Sequence, residues 1–184
     1  MRLFVGIPLA DEVRGEIAEV VAQLRRGAGA DDLRWSAPEG WHITLQFLGS
    51  AGDEQLECLK ASLAQVRSVP VPVGLGALGS FERAGVVFVD VEVKAELAAL
   101  QQQVVAATSK CGFVAEERPF HPHITLARAK GRNRFRGVPA PRSWGANPPK
   151  FSGFEAGEFL LYESFTEPAG SRYEVRGRFA LGEG

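Results

Sequence analysis

Apolar positions recur along this chain with two different periods, and those periods sort it into strands and helices. Residues 3–7 form an apolar run closed by Pro8, which predicts a first strand. Val13, Ile17, Val20, Val21 and Leu24 fall at helical spacing, predicting a helix over 11–26 with Asp11 as its N-cap. Gly27-Ala28-Gly29-Ala30 ends it. Residues 33–36 predict a short strand, and Pro38-Glu39-Gly40 a turn. The segment 41–48 alternates strictly. Trp41, Ile43, Leu45 and Phe47 take one face, and His42, Thr44 and Gln46 take the other. A second helix is predicted over 53–66, with Leu56, Leu59 and Leu63 as its stripe. Strands follow over 69–79 and 86–91, the latter a β-branched run suited to burial on both faces. A third helix starts at Glu92 or Lys94 and runs to Lys110, with Leu97, Leu100, Val104 and Val105 inward. Further strands are expected over 122–128, 159–165 and 172–181. Strands and helices mix without a βαβ rhythm, so the expected class is α+β with largely antiparallel sheets.

Composition narrows the possibilities. The 184 residues are 45% hydrophobic and 23% charged, which excludes a disordered tail, a collagen-like fibre and a coiled-coil rod. A formal charge of −1, from 21 Lys+Arg against 22 Asp+Glu, excludes a globally basic nucleic-acid coat protein. It leaves room for a local basic site. Lys130, Arg132, Arg134, Arg136, Arg142 and Lys150 occupy residues 130–150 without an acidic neighbour, among four prolines. That is an irregular basic loop, readable equally as a solvated insertion or as a nucleic-acid contact. Cys58 and Cys111 are expected as two reduced, half-buried thiols, as in a cytosolic protein. The N-terminal apolar run is too short for a signal segment, and no stretch approaches a membrane span. These readings point to a cytoplasmic enzyme or binding module.

The chemistry lies in the histidines. There are three, His42, His121 and His123, and two of them open the same tetrapeptide. His42-Ile43-Thr44-Leu45 recurs as His123-Ile124-Thr125-Leu126. A repeat starting at so scarce a residue arises by chance on the order of one time in a thousand. It is what an internally duplicated, pseudo-symmetric protein would show. On a strand, His and Thr two positions apart share a face, while Ile and Leu point to the core. Two such strands facing each other present two imidazoles and two hydroxyls. One imidazole neutral and one protonated make a general base and a general acid near neutral pH. The threonine hydroxyls are uncharged donors suited to phosphate oxygens. Arg128 lies five residues beyond His123, so strict alternation turns it to the opposite face. A bend or the strand end would bring it in as a bidentate clamp. No Cys, Asp or Glu completes a zinc site with His121 and His123 at ligand spacing, so His121 reads as a packing or hydrogen-bonding neighbour. Gly74-Leu75-Gly76 lacks the Walker lysine, and there is no Gly-x-Ser-x-Gly elbow. No cofactor is expected.

These residues also resemble a known family. Trp41-His42-Ile43-Thr44-Leu45-Gln46-Phe47-Leu48-Gly49 and Phe120-His121-Pro122-His123-Ile124-Thr125-Leu126-Ala127-Arg128 resemble the two motifs of the 2H phosphoesterases. Within that superfamily they are similar to the RNA 2′,3′-cyclic phosphodiesterase (2′-5′ RNA ligase) branch. Arg2-Leu3-Phe4-Val5-Gly6-Ile7, Leu161-Tyr162-Glu163-Ser164 and Gly170-Ser171-Arg172-Tyr173 extend the likeness over nearly the whole chain. The resemblance implies one bilobal domain over 1–184, with two pseudo-symmetric lobes and a central cleft. It implies metal-independent hydrolysis of an RNA terminal 2′,3′-cyclic phosphate to a 2′-phosphate. His42 would be the proton donor and His123 the acceptor. Thr44 and Thr125 would hold the non-bridging oxygens, with help from Arg128. Phe4, Phe47, Phe81 or Tyr173 would be available to stack on the terminal base, and the 130–150 loop would track the RNA backbone.

Expected partners are RNA 3′ ends or small cyclic phosphate nucleotides, bound by a monomer. Three alternatives remain open: reversible 2′-5′ RNA ligation, action on a small substrate such as ADP-ribose cyclic phosphate, and a non-catalytic nucleotide- or RNA-binding module.

Overall fold

Residues 1–131 and 134–182 are described by a computed structural model of the chain. Ten strands and three α-helices alternate among them: β1 Arg2–Pro8, α1 Asp11–Leu24, β2 Leu33–Trp35, β3 His42–Ser50, α2 Asp53–Leu63, β4 Val71–Val73, β5 Leu75–Phe81, β6 Val86–Val91, α3 Ala95–Ser109, β7 His123–Ala129, β8 Phe154–Ala156, β9 Glu158–Glu167 and β10 Gly170–Ala180. Every strand pairing is antiparallel. Two four-stranded sheets run in the orders β10-β9-β1-β3 and β2-β7-β6-β5, and β4-β8 form a small third. The expected α+β class and antiparallel sheets are what the chain adopts.

The two large sheets repeat one another around the His-x-Thr strands. β3 pairs with β1 as β7 pairs with β6, and β9 lies beyond β1 as β5 lies beyond β6. One continuous core joins them. It takes Val5, Ile7 and Ile43 from the first sheet, Val89, Ile124 and Leu126 from the second, and the inward stripes of all three helices. Burial of these side chains, at roughly 25 cal/mol per Å2 of apolar surface, is what fixes the two His-x-Thr strands to a common floor.

Several local expectations change. Ala10, not Asp11, is the N-cap of α1 and offers no side-chain bond; Asp11 sits in the first turn, paired to Arg14 at 2.7 Å. The strand expected over 69–79 is two, split at Gly74, because β4 pairs with β8 while β5 pairs with β6. Val105 is half-buried rather than in the inward stripe of α3, which is completed by Ala107 and Thr108.

The cysteines are corrected outright. Cys58 in α2 and Cys111 just after α3 form a disulfide, with Cα atoms 5.8 Å apart. Packing of α2 against α3 brings together residues 53 positions apart, which no local pattern reveals. A bridge closing a loop of this length typically adds about 2–4 kcal/mol.

The described part of the basic loop is largely irregular, as expected, and folds back onto α1 and the turn that follows it: the Trp144 indole donates to Gln23 at 3.0 Å, Lys130 to the Asp31 carbonyl at 2.7 Å, and Arg134 lies 3.7 Å from Asp32. Arg132 lies outside the described residues. Among the described residues, no helix is long and apolar enough to cross a membrane.

Candidate active site

The two His-x-Thr strands carry the same irregularity at the same place. In the β1–β3 ladder Val5 pairs with Gln46 and Gly6 with Thr44, so Leu45 has no partner. In the β6–β7 ladder Val87 pairs with Ala127 and Phe88 with Thr125, so Leu126 has none. Each is a β-bulge three residues after the histidine, and the extra residue reverses the alternation beyond it. Gln46 and Ala127 therefore turn inward and are buried. Gln46 accepts a 2.7 Å hydrogen bond from the Thr108 hydroxyl of α3, which fastens the first bulge. The faces read from strict alternation hold only as far as Leu45: Gln46 leaves the histidine's face and Phe47 joins it.

The bulge likewise settles Arg128. With the alternation reversed after Leu126, Arg128 returns to the face of His123 and Thr125, contrary to the strict-alternation expectation. Its equivalent on β3 is Phe47, five residues after His42 and 56% exposed. One strand thus offers a guanidinium where the other offers a phenyl ring.

Both imidazoles are held alike. His42 Nδ1–H donates to the carbonyl of Gly40 at 2.7 Å, and His123 Nδ1–H donates to the carbonyl of His121 at 2.8 Å. A carbonyl can only accept, so each Nδ1 must carry a proton. On each ring Nε2 is then the nitrogen that can take up or give a proton.

Their surroundings differ. His42 lies among the rings of Phe4, Tyr173 and Tyr162, at centroid distances of 4.6, 5.1 and 5.6 Å. Gly6 makes the space, because a Cβ there would sit 2.9 Å from the Ile43 carbonyl oxygen and 3.5 Å from the His42 ring. Burial in this cage pushes the His42 pKa down to about 4, against the pull of the Gly40 carbonyl; the nearby charges of His123 and Arg128 push it further the same way. His123 is also lowered by burial, less completely. The His121 carbonyl and the Asp90 charge work upward against that burial, while His121 and Arg128 add to it. Asp90 pairs with His123 across β6–β7 and accepts from His121 Nε2 at 3.0 Å. Phe81 packs edge-on against both His121 and His123.

A cavity of about 1530 Å3 opens beside His123, with Thr44, Phe47, Phe81, Phe113 and Phe120 in its walls. No described residue of the 130–150 loop lines it. Of the aromatics expected to reach a base, Phe4 is buried beneath His42 and Tyr173 stands beside that ring. Phe47 and Phe81 face the cavity. Gly6, the Asp90–His121 pair and the Gln46–Thr108 bond carry no motif of their own and show only once the strands are paired. Among the described residues no three His, Cys, Asp or Glu side chains cluster as a metal site.

Of the site residues read from the sequence, Thr44 and His123 line this cavity, while His42, Thr125 and Arg128 are not among its wall residues. Two matched antiparallel sheets, each carrying a His-x-Thr strand with a tautomer-fixed imidazole, are the architecture of the 2H phosphoesterases. The chain matches the 2′-5′ RNA ligase superfamily over residues 10–150, and it belongs to that family. It is 29% identical to an RNA 2′,3′-cyclic phosphodiesterase of Archaeoglobus fulgidus over 95% of this chain and 97% of that one. It is 32% identical to a protein of the same name from Thermus thermophilus, over 98% of this chain and 90% of that one. Its fold superposes on the crystal structure of E. coli LigT complexed with 3′-AMP with a TM-score of 0.80, at 28% identity, covering 99% and 98% of the two chains.

Proposed function

We propose that the chain hydrolyses the 2′,3′-cyclic phosphate at an RNA 3′ end to a 2′-phosphate, by general acid–base catalysis between His42 and His123. The observation that supports this reading is the paired Nδ1–carbonyl bond, which fixes the same tautomer on both rings and leaves both Nε2 atoms to carry the exchanged protons. His123 Nε2 takes a proton from water as the water oxygen bonds to phosphorus. The P–O3′ bond breaks on the opposite side, and O3′ takes the proton of His42 Nε2. The products are a 2′-phosphomonoester and a 3′-hydroxyl. Thr44 and Thr125 donate to the non-bridging oxygens, and the Arg128 guanidinium balances the charge that builds there. Phe47 offers a ring to the terminal base. Both copies of the motif lie on one chain, so we place the reaction in a monomer, with residues 1–184 acting as one bilobal domain and the cytoplasm as its place of action.

A proton donor whose pKa is about 4 in the free protein needs loading. The substrate supplies the means. A phosphodiester monoanion about 4 Å from an imidazolium stabilises it by roughly 4 kcal/mol at an effective dielectric constant of 20, or about 3 pH units. That offsets the burial that lowers it and brings the His42 pKa back toward neutral pH, so that the ring can carry its proton in the complex. Because kcat/KM reports the free enzyme, its bell is expected to peak below pH 6.5, with the kcat optimum at higher pH. The direct test is a short RNA ending in a 2′,3′-cyclic phosphate, incubated in EDTA with the product's terminal phosphate mapped. A 2′-phosphate is the expected product. A 3′-phosphate would reverse the in-line geometry, and unchanged RNA would move the reading to a smaller cyclic phosphate or to a binding module.

A further inference from the structure

The bulge that turns Arg128 to the face of His123 and Thr125 brings a second arginine with it. Arg34 of β2 is the direct cross-strand partner of Arg128 on β7, so the two side chains leave the same face of the sheet. Arg34 is exposed, and its Cδ lies 3.8 Å from where a Cβ on Gly170 would stand, in the β9–β10 turn of the other sheet. It therefore spans the gap between the sheets at the end where Tyr173 stands beside His42. Like charges directly opposite one another in a ladder are destabilising unless an anion lies between or beside them.

No carboxylate does so. Among the described residues neither Arg34 nor Arg128 makes an ion pair, and the acids of the neighbouring hairpin, Glu167 and Glu174, are both held by Arg172. Arg128 is near enough to the reacting centre for its charge to bear on both histidines; Arg34 stands one strand further out.

We propose that Arg34 binds a second phosphate, the phosphodiester one nucleotide upstream of the reacting end, and so makes the enzyme prefer an RNA chain to a single nucleotide. This rests on the function proposed above and names the substrate class of the same cleft. A guanidinium is suited to the task, because its planar fork meets phosphate oxygens two at a time.

The test compares kcat/KM for a trinucleotide and for a mononucleoside, each ending in a 2′,3′-cyclic phosphate, at fixed ionic strength. Arg34→Ala is expected to cost about tenfold more on the trinucleotide than on the mononucleoside, mostly in KM, the size of one exposed charge-assisted contact. Arg34→Lys should recover part of the loss. Equal losses on both substrates would overturn the proposal. Binding of a labelled trinucleotide 2′-phosphate is read alongside, without turnover. Arg34→Ala should weaken it by a similar factor and flatten its log–log salt dependence by about 0.7. Binding indifferent to Arg34 overturns the second subsite. Binding that depends on Arg34 in a wild-type protein that hydrolyses neither substrate supports the subsite and tells against the reaction.

Discussion

The two His-x-Thr strands share a backbone and differ in what surrounds it. Each has the same bulge, the same buried Ile and Leu, and the same Nδ1 bond to a carbonyl two residues back. Yet His42 sits in an aromatic cage with Pro8 as its ladder partner, whereas His123 has Asp90 there and His121 beyond it. The equivalent outward position is Phe47 on one strand and Arg128 on the other. The repeated motif thus gives two like-held imidazoles, and the neighbours make them unequal. In the reaction proposed here, the shared features hold the two proton carriers and the unshared ones assign donor and acceptor.

The largest expected effect tests what is shared. His42→Ala and His123→Ala should each lower the hydrolytic rate at least ~100-fold, since a general acid or base typically contributes 10²–10⁴. Steady-state rates on the cyclic-phosphate RNA check this, and a near-wild-type rate in either variant removes that residue from the reaction.

The next effect separates the two. The pKa of His42 is about 4 when folded, below the unfolded value near 6.5, so the folded state binds fewer protons between those limits. The neutral ring adds no pH dependence above pH 6.5. As pH falls from 6.5 through 4 the unfolded chain protonates first, and stability drops by up to about 3 kcal/mol. Urea unfolding across that range should show the loss, and His42→Gln should flatten it. An unchanged slope in His42→Gln would place the titration elsewhere.

The smallest effect concerns Asp90. Its charge holds the His123 pKa up, so Asp90→Asn should move the descending limb of the kcat/KM profile to lower pH. The ascending limb, set by His42, should stay in place. A shift of both limbs, or of neither, would mean that the carboxylate acts some other way.

How far this was legible in the chain depends on the range of the interactions. The shared face of His42 with Thr44, and of His123 with Thr125, was readable because a period of two governs a strand locally, and the repeat marked the two strands that the sheets match. The core stripes of α1 and α2 were readable for the same kind of reason. Arg128 and Phe47 needed the bulges, which appear only when β3 and β7 are paired with β1 and β6. The acceptor carbonyls of Gly40 and His121 needed the turns into those strands. Gly6 reads as an ordinary strand residue until the His42 ring is placed beside it. β8 has three residues and no pattern of its own; β4 makes it a strand. The disulfide joins helices whose packing no sequence period encodes.

The central claim is that His42 delivers the proton to the leaving 3′-oxygen while His123 activates water. It is tested most directly with an RNA 2′,3′-cyclic phosphate whose bridging 3′-oxygen is replaced by sulfur, because a thiolate departs without protonation. The account predicts that His42→Ala recovers near-wild-type hydrolysis on this substrate, while His123→Ala stays at least ~100-fold impaired. Recovery in His123→Ala alone would reverse the two roles, and recovery in neither variant would contradict the assignment of His42 as the acid.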